Sequence, residues 1–88
     1  MAGNTRGKLK EQFEGIHRNM DWALTHINKS LALLATKLIE TGQVKVIKDN
    51  PEQQEKLLEK NAIYFGMKSL GEGIATLDNL AMQVYAKL

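Results

Sequence analysis

Apolar residues in the second half of the chain fall at alternating steps of four and three: Ile63, Met67, Leu70, Ile74, Leu77, Ala81, Val84 and Leu88. This is the heptad seam of a helix that lies along another helix. The first half carries a counterpart in Leu9, Phe13, Ile16, Met20, Ala23 and Ile27. After Ile27 the rhythm slips to Leu31, Leu34 and Leu38, a four-residue stutter that rotates the stripe. From Ser30 to Ile39 the chain is apolar on most of a helical circumference, so that end should be contacted from more than one direction.

Punctuation divides the two halves. Gly42 suits a helix C-cap, where positive φ is wanted. Asn50, Pro51 and Gln53 form an N-terminal signature of cap, first helical residue and capping-box return, and Glu52 and Glu55 complement the helix dipole. The expectation is an arm over residues 1–7, a helix over 8–41, a connector over 42–50 and a second helix over 51–88. In the connector, Val44 and Val46 alternate with Gln43, Lys45 and Ile47. That is enough for a short strand that pairs with its own copy, for one added to a partner's sheet edge, or for a plain extended link.

Gly66, Gly71 and Gly73 each cost a helix about 1 kcal/mol relative to Ala. Near Gly71 and Gly73 the second helix either breaks, giving three helices, or continues with a kink. Continuity is favoured, because Ala62, Gly66, Ser69, Gly73 and Thr76 also step by four and three and make room for a close neighbour. The fold class is thus all-α, a hairpin of two long helices with an extended connector. Alone, such a hairpin leaves the small-residue stripe, the apolar end of the first helix and Trp22 uncovered. A homodimer forming a four-helix bundle would cover them.

Composition narrows the class. At 88 residues the chain is one domain of marginal core size, and with no cysteine it has neither disulfides nor thiolate zinc sites. Oligomerisation is the remaining way to add buried surface. No apolar run reaches the ~18 residues of a membrane span and the start lacks a signal-peptide core, so a cytoplasmic protein with no membrane partner is expected. Twelve basic residues against ten acidic give a net charge of +2. The balance is too mild for a dedicated nucleic-acid binder and far from a DNA mimic.

Candidate chemistry is sparse. Glu14 and His17 have the Glu-x-x-His spacing of di-iron bundles, but Phe13 and Ile16 hold the seam and no second copy of the motif exists in the chain. His17 with Asp21 and Trp22 with His26 have the spacing of surface contacts on one helix face. The carboxylate pairs Glu11 with Glu14, Glu52 with Glu55 and Glu55 with Glu59 have no positioned nucleophile or base beside them. The glycines around Glu72 lack a phosphate loop's Gly-Lys-Ser/Thr ending. No catalytic residue, metal site or cofactor is expected.

The leading function class is a non-enzymatic interaction protein: an assembly, adaptor or inhibitor module that meets a protein partner through a helical surface. Small helical proteins of this kind are common among phage and bacterial accessory proteins. Trp22, with Met20 and Arg18, is the partner-binding candidate, and Ile63 to Leu88 form the oligomer seam. The alternative is a nucleic-acid-binding regulatory dimer using Arg6, Lys8, Lys10 and Arg18.

Overall fold

The structure is a computed structural model that describes the backbone of residues 2–88 and the side chains of residues 6–88. It is all-helical, with α1 over Ala2–Glu40, α2 over Pro51–Glu59 and α3 over Ala62–Ala86. Met1 of the expected arm lies outside the described residues; from Ala2 onward the arm's backbone belongs to α1.

α1 ends as its cap residue dictates. Gly42 takes φ +78°, a left-handed conformation that costs a residue with a Cβ, and its amide donates to the Ile39 carbonyl at 3.1 Å. The Val44 amide then donates to Leu38 at 3.1 Å, which turns the Val44 side chain into the core. The connector forms no strand among the described residues, and Gln54 explains why it needs no partner. The Gln54 side chain accepts from the Ile47 amide at 2.7 Å and donates to the Lys45 carbonyl at 3.0 Å. One side-chain amide thus satisfies two of the backbone groups on the edge that a neighbouring strand would pair. Asn50 caps α2, accepting from the Gln53 amide at 3.1 Å, with Pro51 beginning the helix.

The second helix expected over 51–88 is divided, and the division is not at the glycines. Lys60 closes α2, and Asn61 takes an extended conformation (φ −77°, ψ 126°). Its side chain accepts from the Ile63 and Tyr64 amides at 3.0 and 3.1 Å, starting a new helix. Gly71 and Gly73 lie inside an unbroken α3.

α1 and α3 are antiparallel. Contacts at Glu14–Tyr85, His17–Asp78 and Ile27–Gly71 pair rising numbers on one helix with falling numbers on the other. α2 folds back beside α3, where it and the connector close the Leu31–Ile39 end of α1. There Leu38, Val44, Leu58 and Tyr64 form the buried core, with Leu31, Leu34, Ala35, Ile39 and Leu57 packed around it. These contacts all fall on one side of α1. Ala32, Leu33 and Thr36 on the other side are exposed, Leu33 at 61%, so the contact expected from more than one direction is not made within the chain.

That core is small for the chain. The molecule measures 61 × 21 × 18 Å, with a radius of gyration of 18.2 Å. A compact domain of this length would have about 12 Å. Its accessible surface is 6686 Å² for 9.9 kDa, against about 5,200 Å² for a typical folded monomer of that mass.

Candidate interaction surface

α3 meets α1 through Tyr64, Gly71, Asp78 and Tyr85, spaced seven apart. Gly71 allows the closest approach: a Cβ there would lie 3.3 Å from Ile27 Cγ2 and 3.9 Å from Leu24 Cδ2. Farther along, His17 Nδ1 lies 2.9 Å from both carboxylate oxygens of Asp78, and the Tyr85 hydroxyl donates to Glu14 at 2.9 Å. That carboxylate raises the Tyr85 phenol above its ordinary value. These polar pairs fix the sliding register of the two helices.

Each of those α3 residues is preceded by a large apolar one: Ile63, Leu70, Leu77 and Val84. One position back is about 100° round the helix, and there the chain offers no cover. Exposure runs from 48% at Val84 to 63% at Ile63, and Leu80 is 54% exposed. Met67, Ile74, Ala81 and Leu88, the other half of the sequence-derived seam, are partly buried between the two faces. α1 thus covers one flank of that seam and leaves the other in solvent.

Gly66 and Gly73 complete the uncovered face; an added Cβ would meet nothing within 4 Å at either. The order Ile63, Gly66, Leu70, Gly73, Leu77, Leu80, Val84 is itself a heptad, and it contains no charge. Ala62, Ser69 and Thr76 border it with small side chains. Because the helices are antiparallel, one position back from His17 on α1 lies on the same side of the hairpin as one position back from Asp78 on α3. That residue is exposed Ile16, and exposed Leu9 lies seven earlier. The three glycines of α3 therefore divide the work: Gly71 serves α1, while Gly66 and Gly73 open outward.

A polar network locks α2 against the start of α3. Lys68 Nζ donates to Glu55 at 2.8 Å and to Glu59 at 2.6 Å, and the Tyr64 hydroxyl donates to Glu55 Oε2 at 2.8 Å. The Lys68 hydrogen bond holds the Glu55 carboxyl below its ordinary value against the opposing effect of burial, with Tyr64 adding to the lowering. Burial first, and then the bond to Glu55, pushes the Tyr64 phenol up to about 12. Bonds to the two carboxylates raise Lys68 as well. The network is structural chemistry: each group stabilises its partner's ordinary charge state.

Trp22 stands on the outer side of α1 at 69% exposure, its ring edge-on to His26 at a centroid distance of 4.8 Å. Arg18 is exposed beside it, whereas Met20 is half-buried toward α3. Arg6, Lys8, Lys10 and Arg18 are all exposed but do not share a face. Arg6 and Lys10 are one turn apart, and Lys8 between them points about 200° away from either. Among the described residues no group of three His, Cys, Asp or Glu side chains converges as a metal site, and no helix is long and apolar enough to cross a membrane. Glu14 and His17, the Glu-x-x-His candidate, each engage a different residue of α3.

Comparison with known protein families, curated proteins and solved structures returned no match.

Sequence reasoning missed Gln54, Lys68 and Asn61, and on α3 the contacts of Asp78 with His17 and of Tyr85 with Glu14. Gln54 and Lys68 act across loops and helices, and nothing in their local pattern marks them. Asn61 had a signal, its preference for N-cap positions, but Leu57 and Leu58 before it and the seam from Ile63 after it read as one helix.

Proposed function

We propose that the protein is a non-enzymatic interaction module that self-associates through the uncharged side of the hairpin. In the paired state it presents the Trp22 side of α1 to a macromolecular partner. One observation carries this reading: among the described residues eleven large apolar side chains are exposed and only four are buried. Five of the eleven, Ile63, Leu70, Leu77, Leu80 and Val84, share one charge-free helix face.

A second copy of the chain is the occupant that the area supports. The surface exceeds that of a compact monomer by about 1,500 Å², and a stable interface removes about 800 Å² or more from each partner. Obligate dimers have such apolar interfaces, resembling a core divided between two chains. The flat face of an antiparallel hairpin doubles naturally into a four-helix bundle. Trp22, next to Arg18 and one turn from His26, then has the character of an anchor residue: large, rigid and rimmed by cationic and polar groups.

Light scattering tests the reading. The chain should have about twice its 9.9 kDa mass, at low and at high salt alike, since the face carries no charge to screen. Leu77→Asp should return it to single-chain mass with its helix content intact, because that side chain is exposed in the single chain. A wild-type monomer, or a Leu77→Asp variant that still pairs, would overturn the proposal.

A further inference from the structure

We infer that two copies pair with their α3 helices antiparallel, and that Gly66 and Gly73 set this orientation by receiving leucines of the second copy. The inference rests on the reading of the α3 face as a self-association surface and adds its geometry. The face has Ile63, Leu70, Leu77 and Val84 at one heptad position and Gly66, Gly73 and Leu80 at the other. In a parallel pair each residue meets its own copy. Gly66 would then face Gly66 and Gly73 would face Gly73, while leucine layers between them hold the helices apart. Two voids would remain, and unfilled space in a core is destabilising.

In an antiparallel pair, residues of the first position face residues of the second. Ile63 then lies over Leu80 of the second copy, Gly66 over Leu77, and Leu70 over Gly73, with the same contacts repeated by symmetry. Every glycine receives a leucine, Ile63 meets a leucine, and Val84 lies past the start of the facing α3. Both glycines face unoccupied space and are spaced seven apart, as Leu70 and Leu77 are. Charge does not compete with this choice. The residues bordering the face are Ala62, Ser69, Thr76 and Gln83 on one side and Met67, Ile74 and Ala81 on the other, none of them charged. Steric fit is left as the determinant of direction. The partly buried Met67, Ile74 and Ala81 lose the rest of their exposure in the same step, which joins the two hairpin seams into one bundle core.

The glycines also explain themselves this way. Each costs α3 about 1 kcal/mol of helix stability relative to Ala, and nothing within the single chain occupies the space that either leaves open.

The absence of cysteine permits a clean cross-linking test. Ile63→Cys and Leu80→Cys chains are prepared separately, then each alone and the two mixed are equilibrated and oxidised. The antiparallel register brings position 63 opposite position 80, so the mixture should form the mixed disulfide. Two copies of position 63 would lie ~25 Å apart along the axis, beyond the ~7 Å reach of a disulfide. Ile63→Cys alone should therefore stay uncross-linked. Self-cross-linking of Ile63→Cys in a protein that scatters as a dimer would overturn the orientation and leave the proposed dimer standing. A wild-type monomer would remove both.

A second variant reads the glycines directly. Gly66→Ala with Gly73→Ala should weaken dimerisation at least tenfold while the helix content of the single chain holds or rises. Unchanged dimerisation would overturn the role assigned to the glycines.

Discussion

The Tyr64 hydroxyl donates to the Glu55 carboxylate across the break at Asn61, at 2.8 Å to Oε2 and 3.0 Å to Oε1. Tyr64 is also one of the four core residues, so a single side chain seals the core and ties α2 to α3. Tyr64→Phe keeps the ring and removes the bond. The expected loss is about 1 kcal/mol, the scale of one hydrogen bond to a partly solvated carboxylate, read as a lower urea midpoint with an unchanged slope.

The same network sets the pH limits of the fold. Glu55 is lowered from 4.5, so its contribution is present above that value and fades as pH falls through the lower native one. Tyr64 is raised from 10.0 to about 12 and Lys68 is raised from 10.5. Their contributions are complete below pH 10 and fade as pH climbs past it. A plot of urea midpoint against pH should be flat between roughly 5 and 10 and fall on both sides. In Glu55→Gln the acid-side fall should shrink, because the group that titrates there is gone.

Gln54 should govern the connector alone. Gln54→Ala leaves the Ile47 amide and the Lys45 carbonyl without their partner, at a cost of about 1–2 kcal/mol for the pair. Hydrogen exchange at the Ile47 amide should accelerate strongly, while amides in the middle of α3 keep their protection. Equal acceleration at both would show that the connector and α3 open as one unit.

Gly71 should behave unlike its neighbours. Gly71→Val places a branched side chain where a Cβ alone would already lie 3.3 Å from Ile27, forcing α1 outward at a cost of about 2 kcal/mol. Ile27→Ala should recover part of that loss in a double-mutant cycle, since it vacates the space in dispute. Additive losses would mean that the two residues do not compete.

The helical hairpin was legible because its signals are local. Gly42 and Asn50 act within a turn of their own positions, and the heptads of both halves are periodic over many residues. The division at Asn61 was hidden because helix-compatible residues flank it closely on both sides, Leu57 and Leu58 before and the seam from Ile63 after, leaving a single polar side chain as evidence. The orientation of α3 was hidden for a different reason. Its most apolar stripe begins at Ile63, but α1 contacts the mixed stripe of Tyr64, Gly71, Asp78 and Tyr85. What decides between them is a gap that fits Ile27 and a carboxylate that fits His17, features of two helices together. The uncovered face was visible in outline as a small-residue stripe; that it turns away from α1 required the position of Gly71.

Between its turns the connector has one edge of its backbone, at Lys45 and Ile47, occupied by Gln54. A bare extended segment can template the addition of strands from other molecules, which is how fibrils grow. Here the chain's own glutamine occupies one such edge, so a strand cannot add there without displacing it. In the proposed dimer, association runs instead through side chains on helices, where it would close after one partner.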